Sequence, residues 1–234
     1  MLTGAGHALA PVFAEAFDGL GRAIHALKSL RPQAEIHIAA LPSVAQLWLS
    51  DRLAAMRLAL GDLRLSVTAL ETPPNLERDL FDLSLFLAVP TGAAGETVLA
   101  QDRIFPVCAP QLAAGIRGPA DLFRLPRLLD QSWEEDWDLF SRALGLHLPV
   151  PANVARYSLY SLTLEEARAG AGVLIGHACL VERALARGDL VRQLPDECET
   201  GKALLLRTAP GAAGRQDVRA VRTLLAQDPT GLSP

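Results

Sequence analysis

The chain has 234 residues, half of them hydrophobic and 21% charged, with 22 lysines and arginines against 26 aspartates and glutamates, for a formal charge of −4. That is long and apolar enough for two lobes with cores of their own, and it excludes a disordered chain. It equally excludes bulk neutralisation of phosphates by a basic face, the usual footprint of a nucleic-acid-binding domain.

Charged residues interrupt every apolar stretch well short of the about 20 residues needed to span a membrane. Residues 1–7 have neither a charged start nor a long apolar run, so they form no secretory signal and a cytoplasmic protein is expected. Cys108, Cys179 and Cys198 have no zinc spacing and are expected to stay reduced, as core hydrophobes or incidental thiols. The five histidines, at 7, 25, 37, 147 and 177, show no metal spacing either. No cofactor or metal is expected.

In chain order, residues 1–30 read as one amphipathic helix. Phe13, Ala16, Phe17, Leu20, Ala23, Ile24 and Leu27 recur at helical steps, Pro11 suits a first turn, and Arg31-Pro32 ends the run. The stripe must find an apolar partner: its own domain or a second subunit. Glu35 to Leu41 alternates as a strand. Pro42-Ser43 then opens a helix with Val44, Leu47, Trp48, Leu49, Leu53, Met56 and Leu60 on one face, stopped at Gly61. Leu63 to Leu70 is a strand, Leu76 to Leu80 a short helix, and Leu83 to Ala88 a buried strand. Such alternation describes a doubly wound α/β unit.

After a loop at residues 91–95, Val98-Leu99 and Ile104 to Cys108 read as extended. A second series follows, helical at Asp121 to Phe123, Asp136 to Leu144, Ser161 to Ala169 and Cys179 to Ala186. Its extended segments are Arg127 to Asp130, Val154 to Leu159, Val173 to Ile175 and Leu190 to Leu194. Lys202 to Arg207 is a last strand and Gln216 to Ala226 a last helix.

Several segments resemble one known family. Leu2-Thr3-x-Ala5-Gly6-x-x-Leu9 is similar to the join between wing and linker helix in LysR-type transcriptional regulators, and Ala16-Phe17-Asp18-x-Leu20 continues in that style. Ala40-Leu41-Pro42-Ser43-Val44-Ala45-x-x-Trp48-Leu49-x-x-Arg52-Leu53 resembles the first strand-to-helix turn of the family's effector domain. Asp79 to Leu85 looks like its third strand, and Phe105 to Pro110 like its crossover. Ser132-Trp133-x-x-Asp136-Trp137, Ser161 to Val173 and Gly188-Asp189-Leu190-Val191 match further on. The branch with the glycine-cleavage and β-lactamase activators is the most similar.

The resemblance implies a type II periplasmic-binding-protein fold, two Rossmann-like α/β lobes joined by two crossover strands. Residues 1–30 become a linker and dimerisation helix, 35–108 with 203–227 one lobe, and 109–202 the other. The family's winged helix-turn-helix has no counterpart here, so contact with DNA is expected only through a domain this chain lacks. A homodimer or homotetramer and a small-molecule effector are the implied partners. Two departures stand out. Phe86-Leu87-Ala88-Val89-Pro90 is apolar where the family is usually polar, and Lys202 to Leu206 carries no aromatic residue.

Ligands in open α/β sheets bind beyond the carboxyl ends of strands, at helix N-termini. Ser43, beside Val44, and Ser161 therefore become candidate anion-binding ends, although each serine is also a good N-cap that needs no ligand. Gln131, Ser132 and Trp133 follow a second-lobe strand and can line the cleft, with Trp133 as apolar wall or mere packing. Tyr157 and Ser158 add hydroxyls. Glu134-Glu135-Asp136 compensates a helix dipole. No nucleophile, Walker or dinucleotide pattern occurs, so catalysis has nothing to rest on.

A sensor of a small, anionic metabolite is the leading reading. A transport solute receptor, an enzyme on the same scaffold and a thiol redox sensor using Cys179 and Cys198 are the alternatives. The chain alone should not bind duplex DNA specifically at physiological salt. A gel shift with sub-micromolar, salt-sensitive affinity would contradict this.

Overall fold

A computed structural model describes residues 3–29, 35–61, 63–122, 124–145, 153–192 and 194–227. The sheet is built on two parallel triplets. In one, β1 (Ile36–Ala40) pairs in parallel with β2 (Leu65–Ala69) and β3 (Leu83–Ala88). In the other, β5 (Arg127–Asp130) pairs in parallel with β6 (Val154–Tyr157) and β7 (Val173–His177). The long strands β4 (Glu96–Cys108) and β9 (Cys198–Thr208) lie antiparallel between the triplets, giving the order β2-β1-β3-β9-β4-β7-β5-β6. The short β8 (Val191–Arg192) adds to the end of β4. Register shifts between Val98 and Ala100 and between Gln101 and Arg103 mark where β4 and β9 bend from one triplet to the other.

Helices cover the sheet as alternating α/β order requires. α1 spans Gly4–Ser29. α2 runs over residues 42–60, α-helical at Pro42–Val44, π-helical at Ala45–Leu49 and α-helical at Ser50–Leu60. Val44, Ala45, Leu49 and Ser50 at the joins all keep right-handed helical angles, so it is one continuous helix. Gly61 ends it at φ 60°, where a side chain is disfavoured. α3 (Asp136–Ala143), α4 (Tyr160–Arg168) and α5 (Ala178–Ala186) belong to the second triplet, and α6 (Gln216–Ala226) returns to the first. Trp48, Leu49, Met56, Leu83, Leu85, Leu204, Val218 and Val221 are buried in the core that α2 and α6 share with the sheet. Ile104, Trp137, Phe140, Val173 and Ile175 form a separate cluster under α3.

Three expectations need correction. Residues 76–80 form turns, not a helix. Asn75 and Asp79 occupy the local backbone: the Asn75 amide donates to Asp79 Oδ2 at 2.8 Å and the Glu77 amide to Asn75 Oδ1 at 2.9 Å. Such side-chain bonds compete with helix. Pro11 lies inside α1 rather than in its first turn, because Thr3 Oγ1 accepts from the Gly6 amide at 3.2 Å and starts the helix earlier. Ser43 and Ser161 are not N-caps. Leu41 and Leu159 hold those positions, Pro42 and Tyr160 follow, and neither cap has a side-chain bond. The Phe13, Phe17 and Leu20 stripe does not pack on its own domain, being 57–59% exposed. The opposite face docks instead: Asp18 pairs with Arg78, and a Cβ on Gly21 would stand 2.3 Å from the Glu77 carbonyl oxygen. The Arg31-Pro32 stop and the Ile24 and Leu27 side chains fall outside the described residues.

One buried ion pair ties the first triplet to α6. Asp82 is fully buried, accepts from the His37 amide at 2.9 Å and pairs with Arg215 Nη1 at 2.8 Å. Arg215 also grips Asp217 at the start of α6. Removing one partner of such a pair strands a charge, which costs about 3–5 kcal/mol. Arg215→Met should therefore lower the unfolding free energy by about 3 kcal/mol or more in urea melts. A loss below about 1 kcal/mol would show that the pair contributes little.

Candidate functional site

The carboxyl ends of β1, β2, β5 and β6 converge where the two triplets face each other. Leu41, Pro42 and Ser43 come from the β1–α2 turn and Glu71 from beyond β2. Asp130, Ser132 and Trp133 follow β5, and Ser158, Leu159 and Tyr160 lead from β6 into α4. The space between them is about 20 Å³, little more than one water molecule requires. The two walls thus nearly meet.

Of the residues singled out from sequence, the structure gathers Ser43, Ser132, Trp133 and Ser158 around this cleft. Val44 is fully buried in the core behind it. Gln131 is exposed, and Tyr157 turns away to donate to Glu166 Oε2 at 3.1 Å. Ser161 is half-buried one residue beyond the wall made by Tyr160. The apolar Phe86 to Ala88 pairs with β9 and does not line the cleft.

Ser43 is 95% buried by its 5% relative exposure, and its hydroxyl has no hydrogen-bond partner. It occupies the second position of α2, where the first amides of a helix lack intrahelical acceptors and the dipole is positive. Pro42 contributes no amide, which leaves those of Ser43 and Val44 at the opening. α4 begins at the facing wall and packs against this end of α2.

Asp130 is buried at the end of β5, where its Oδ1 accepts from the Ser132 amide at 2.8 Å. Burial, reinforced by the nearby Glu71 carboxylate, raises its pKa, although the Ser132 bonds oppose this. Glu71 and Asp130 were not singled out from sequence. The signal was present, since both stand at carboxyl ends of strands.

Behind the wall lies a second arrangement that spacing did not show. His177 is fully buried, with Nδ1 3.0 Å from both oxygens of Asp102 and Nε2 3.0 Å from Asp136 Oδ2. Thr200 Oγ1 donates to Asp102 Oδ2 at 2.8 Å. The His177 amide donates to the Tyr160 hydroxyl, which donates to the Ile175 carbonyl. Trp133 lies with its ring centroid 4.2 Å from the imidazole and 5.0 Å from the Tyr160 ring. Asp136 is thus more than dipole compensation. Burial opposes a charge on His177, but the bonds to Asp102 and Asp136 outweigh it and lift the pKa to about 9.

A larger open groove of about 640 Å³ lies at the far side of α2, lined by Trp48, Arg52, Gln101, Arg103 and Arg192 among others. Its cations are committed. Arg52 stacks on Trp48, and Arg103 and Arg192 both pair with Glu197. It also sits away from the strand ends, so the smaller cleft is the better candidate.

Two parallel triplets crossed by two shared strands, with a cleft at the carboxyl ends, define a type II periplasmic-binding-protein fold of the effector-binding kind. The chain belongs to the LysR family: the LysR substrate binding domain matches residues 30–229. It is 28% identical over 210 residues to the HTH-type transcriptional activator AmpR of Enterobacter cloacae, covering 88% of this chain and 72% of that protein. The glycine cleavage system transcriptional activator of Escherichia coli K12 is 27% identical over 198 residues, covering 82% of this chain and 64% of its own length. Among solved structures, the AmpR effector binding domain of Citrobacter freundii superposes with a TM-score of 0.69 at 19% identity, over 82% of this chain and 96% of that one. The CrgA regulatory domain of Neisseria meningitidis gives 0.67 at 17%, over 86% and 100%. The chain is therefore the effector-binding domain of a LysR-type regulator, not an enzyme, and the transport-receptor alternative is not favoured.

Burial pushes the thiols up, Cys108 to about 11 and Cys179 to about 12, which argues against a thiolate redox sensor. Among the described residues no group of three or more His, Cys, Asp or Glu could hold a metal, and no helix is long and apolar enough to cross a membrane.

Because the folded pKa of His177 lies above its unfolded value of 6.5, the stability it contributes is full below about pH 6.5 and is lost as pH rises through about 9. Melts between pH 6.5 and 9.5 should show stability falling by up to about 1.4 kcal/mol per pH unit. His177→Gln should flatten that dependence; an equal slope in the variant would assign it to another group.

Proposed function

We infer that the cleft between residues 35–108 with 203–227 and residues 109–202 is where this regulator senses a small carboxylate-bearing metabolite. Rearrangement of the two lobes as it enters the nearly shut cleft alters transcription through a DNA-binding domain of the full regulator in the cytoplasm. The observation that carries this reading is the buried, unpartnered hydroxyl of Ser43 at the N-terminal end of α2. A buried hydroxyl without a bond costs about 1–3 kcal/mol, which a ligand acceptor would recover. Each helix end adds only about 0.3–1 kcal/mol through its dipole, so direct hydrogen bonds and contact with Trp133 must supply most of the affinity.

A thermal-shift screen of metabolites followed by calorimetry tests the reading. Ser43→Ala should weaken the effector found by about tenfold while leaving the free protein as stable as the parent or more so, because it removes a buried hydroxyl without a bond. The loss should be smaller for Ser161→Ala, which stands one residue back from the wall. An effector that binds both variants as tightly as the parent would sink the assignment.

The open stripe of α1 pairs with a second copy of the chain in this reading, giving a homodimer or a homotetramer. Phe13, Phe17 and Leu20 on one exposed helix face are otherwise an aggregation liability. In light scattering at tens of micromolar, Phe17→Glu should shift the parent oligomer to a smaller species. A parent that is already monomeric contradicts the pairing.

A further inference from the structure

We propose that the cleft selects ligands carrying an ammonium group beside the carboxylate, an amino-acid-like zwitterion, over simple carboxylates. This rests on the cleft being the effector site. Among the described residues the ionisable side chains around the cleft are Glu71, Asp130 and Tyr160, and neither lysine nor arginine lines it. Ser43, Ser132 and Ser158 supply the remaining side-chain hydroxyls. Two carboxylates repel a simple anion, and the weak positive ends of α2 and α4 do not cancel them.

An ammonium reverses that balance. It brings three donors and no acceptor, which suits Asp130, Glu71 and the Trp133 face that lies between them and the buried interior. Asp130 is already fixed by its bond from the Ser132 amide, so its remaining acceptor positions are held in place. His177, whose charge reaches Asp130, stands behind Trp133 and is shared by Asp102 and Asp136, so its charge is largely taken up there. At the start of α2, the Ser43 hydroxyl has no acceptor within the protein and can donate to the carboxylate. The cleft therefore carries both halves of a zwitterion site: the Ser43 hydroxyl as donor, and Glu71 beyond β2 with Asp130 at the end of β5 as acceptors.

Nuclear magnetic resonance of the tryptophan indole signals reads the test, with Trp133 assigned by Trp133→Phe. The probes are both enantiomers of alanine, valine and leucine, against propionate, 3-methylbutanoate and 4-methylpentanoate. At least one amino acid should shift the Trp133 signal with an affinity about tenfold or more above its des-amino partner. Glu71→Gln, at an exposed position, should reduce that advantage by about tenfold, as should Asp130→Asn. The first variant keeps the test readable, because Asp130 also caps its own turn. Simple carboxylates that bind as tightly as the amino acids, and lose affinity in Ser43→Ala, would overturn the ammonium claim and leave the cleft reading standing. A Trp133 signal unmoved by every amino acid also overturns it. The response of the screened effector to Ser43→Ala then decides the cleft reading separately.

Discussion

Everything around the cleft leans on one buried imidazole. His177 closes β7 and is held between Asp102 on β4 and Asp136 at the start of α3, while Thr200 on β9 binds the same Asp102. Asp102 sits at the level where β4 changes register against β9. Both crossover strands and two elements of the second triplet therefore meet at a single ring. A buried ionic triad is weak evidence for stability, since desolvating three charged groups offsets much of their attraction. Its effect is positional. The geometry is satisfied in one arrangement, and removing any member leaves a carboxylate or an imidazolium stranded.

The same ring is the floor of the cleft wall. Trp133 stacks against it, and the Tyr160 hydroxyl bridges its backbone to Ile175. The side chains a ligand would touch are therefore packed directly on the group that fixes the crossover strands. Trp133, Tyr160 and His177 all belong to residues 109–202, so a shift of those residues against 35–108 falls on the bond between His177 and Asp102 rather than on the contacts among the three rings. Spatial contiguity alone does not establish coupling, but here the elements share bonds rather than mere proximity.

Much of the fold was legible from residue patterns. Strands β1, β3, β5 and β7 and helices α2 to α6 follow from apolar periodicity with proline and glycine stops. What failed did so for local reasons. Asn75 and Asp79 spend their side chains on nearby amides, so an apolar pair at 76 and 80 could not make a helix. The serines at 43 and 161 looked like caps because proline and helical periodicity alone do not fix which residue takes the first helical angles. In the site, hydroxyls and Trp133 were visible because they follow strands directly. Glu71 and Asp130 were equally placed and passed over, since single carboxylates at strand ends look like turn residues. His177 had no sequence signal at all. Its partners lie 75 and 41 residues away, and no spacing rule spans that distance.

The two helix ends show why hydroxyls at the second position matter more than hydroxyls at the cap. A serine at the cap turns its oxygen onto the helix amides and satisfies them internally. With Leu41 and Leu159 there instead, no side chain fills that role. The Ser43 hydroxyl at the second position of α2 is then a donor without a partner in the protein. In the same cleft stand the carboxylates of Glu71, beyond β2, and Asp130, at the end of β5. The cleft is therefore patterned rather than uniformly charged: its net charge alone would repel anions, while its donor end favours them. The Ser43 donor and Glu71 come from the first triplet and Asp130 from the second, so the full pattern exists only where the ends of β1, β2 and β5 meet.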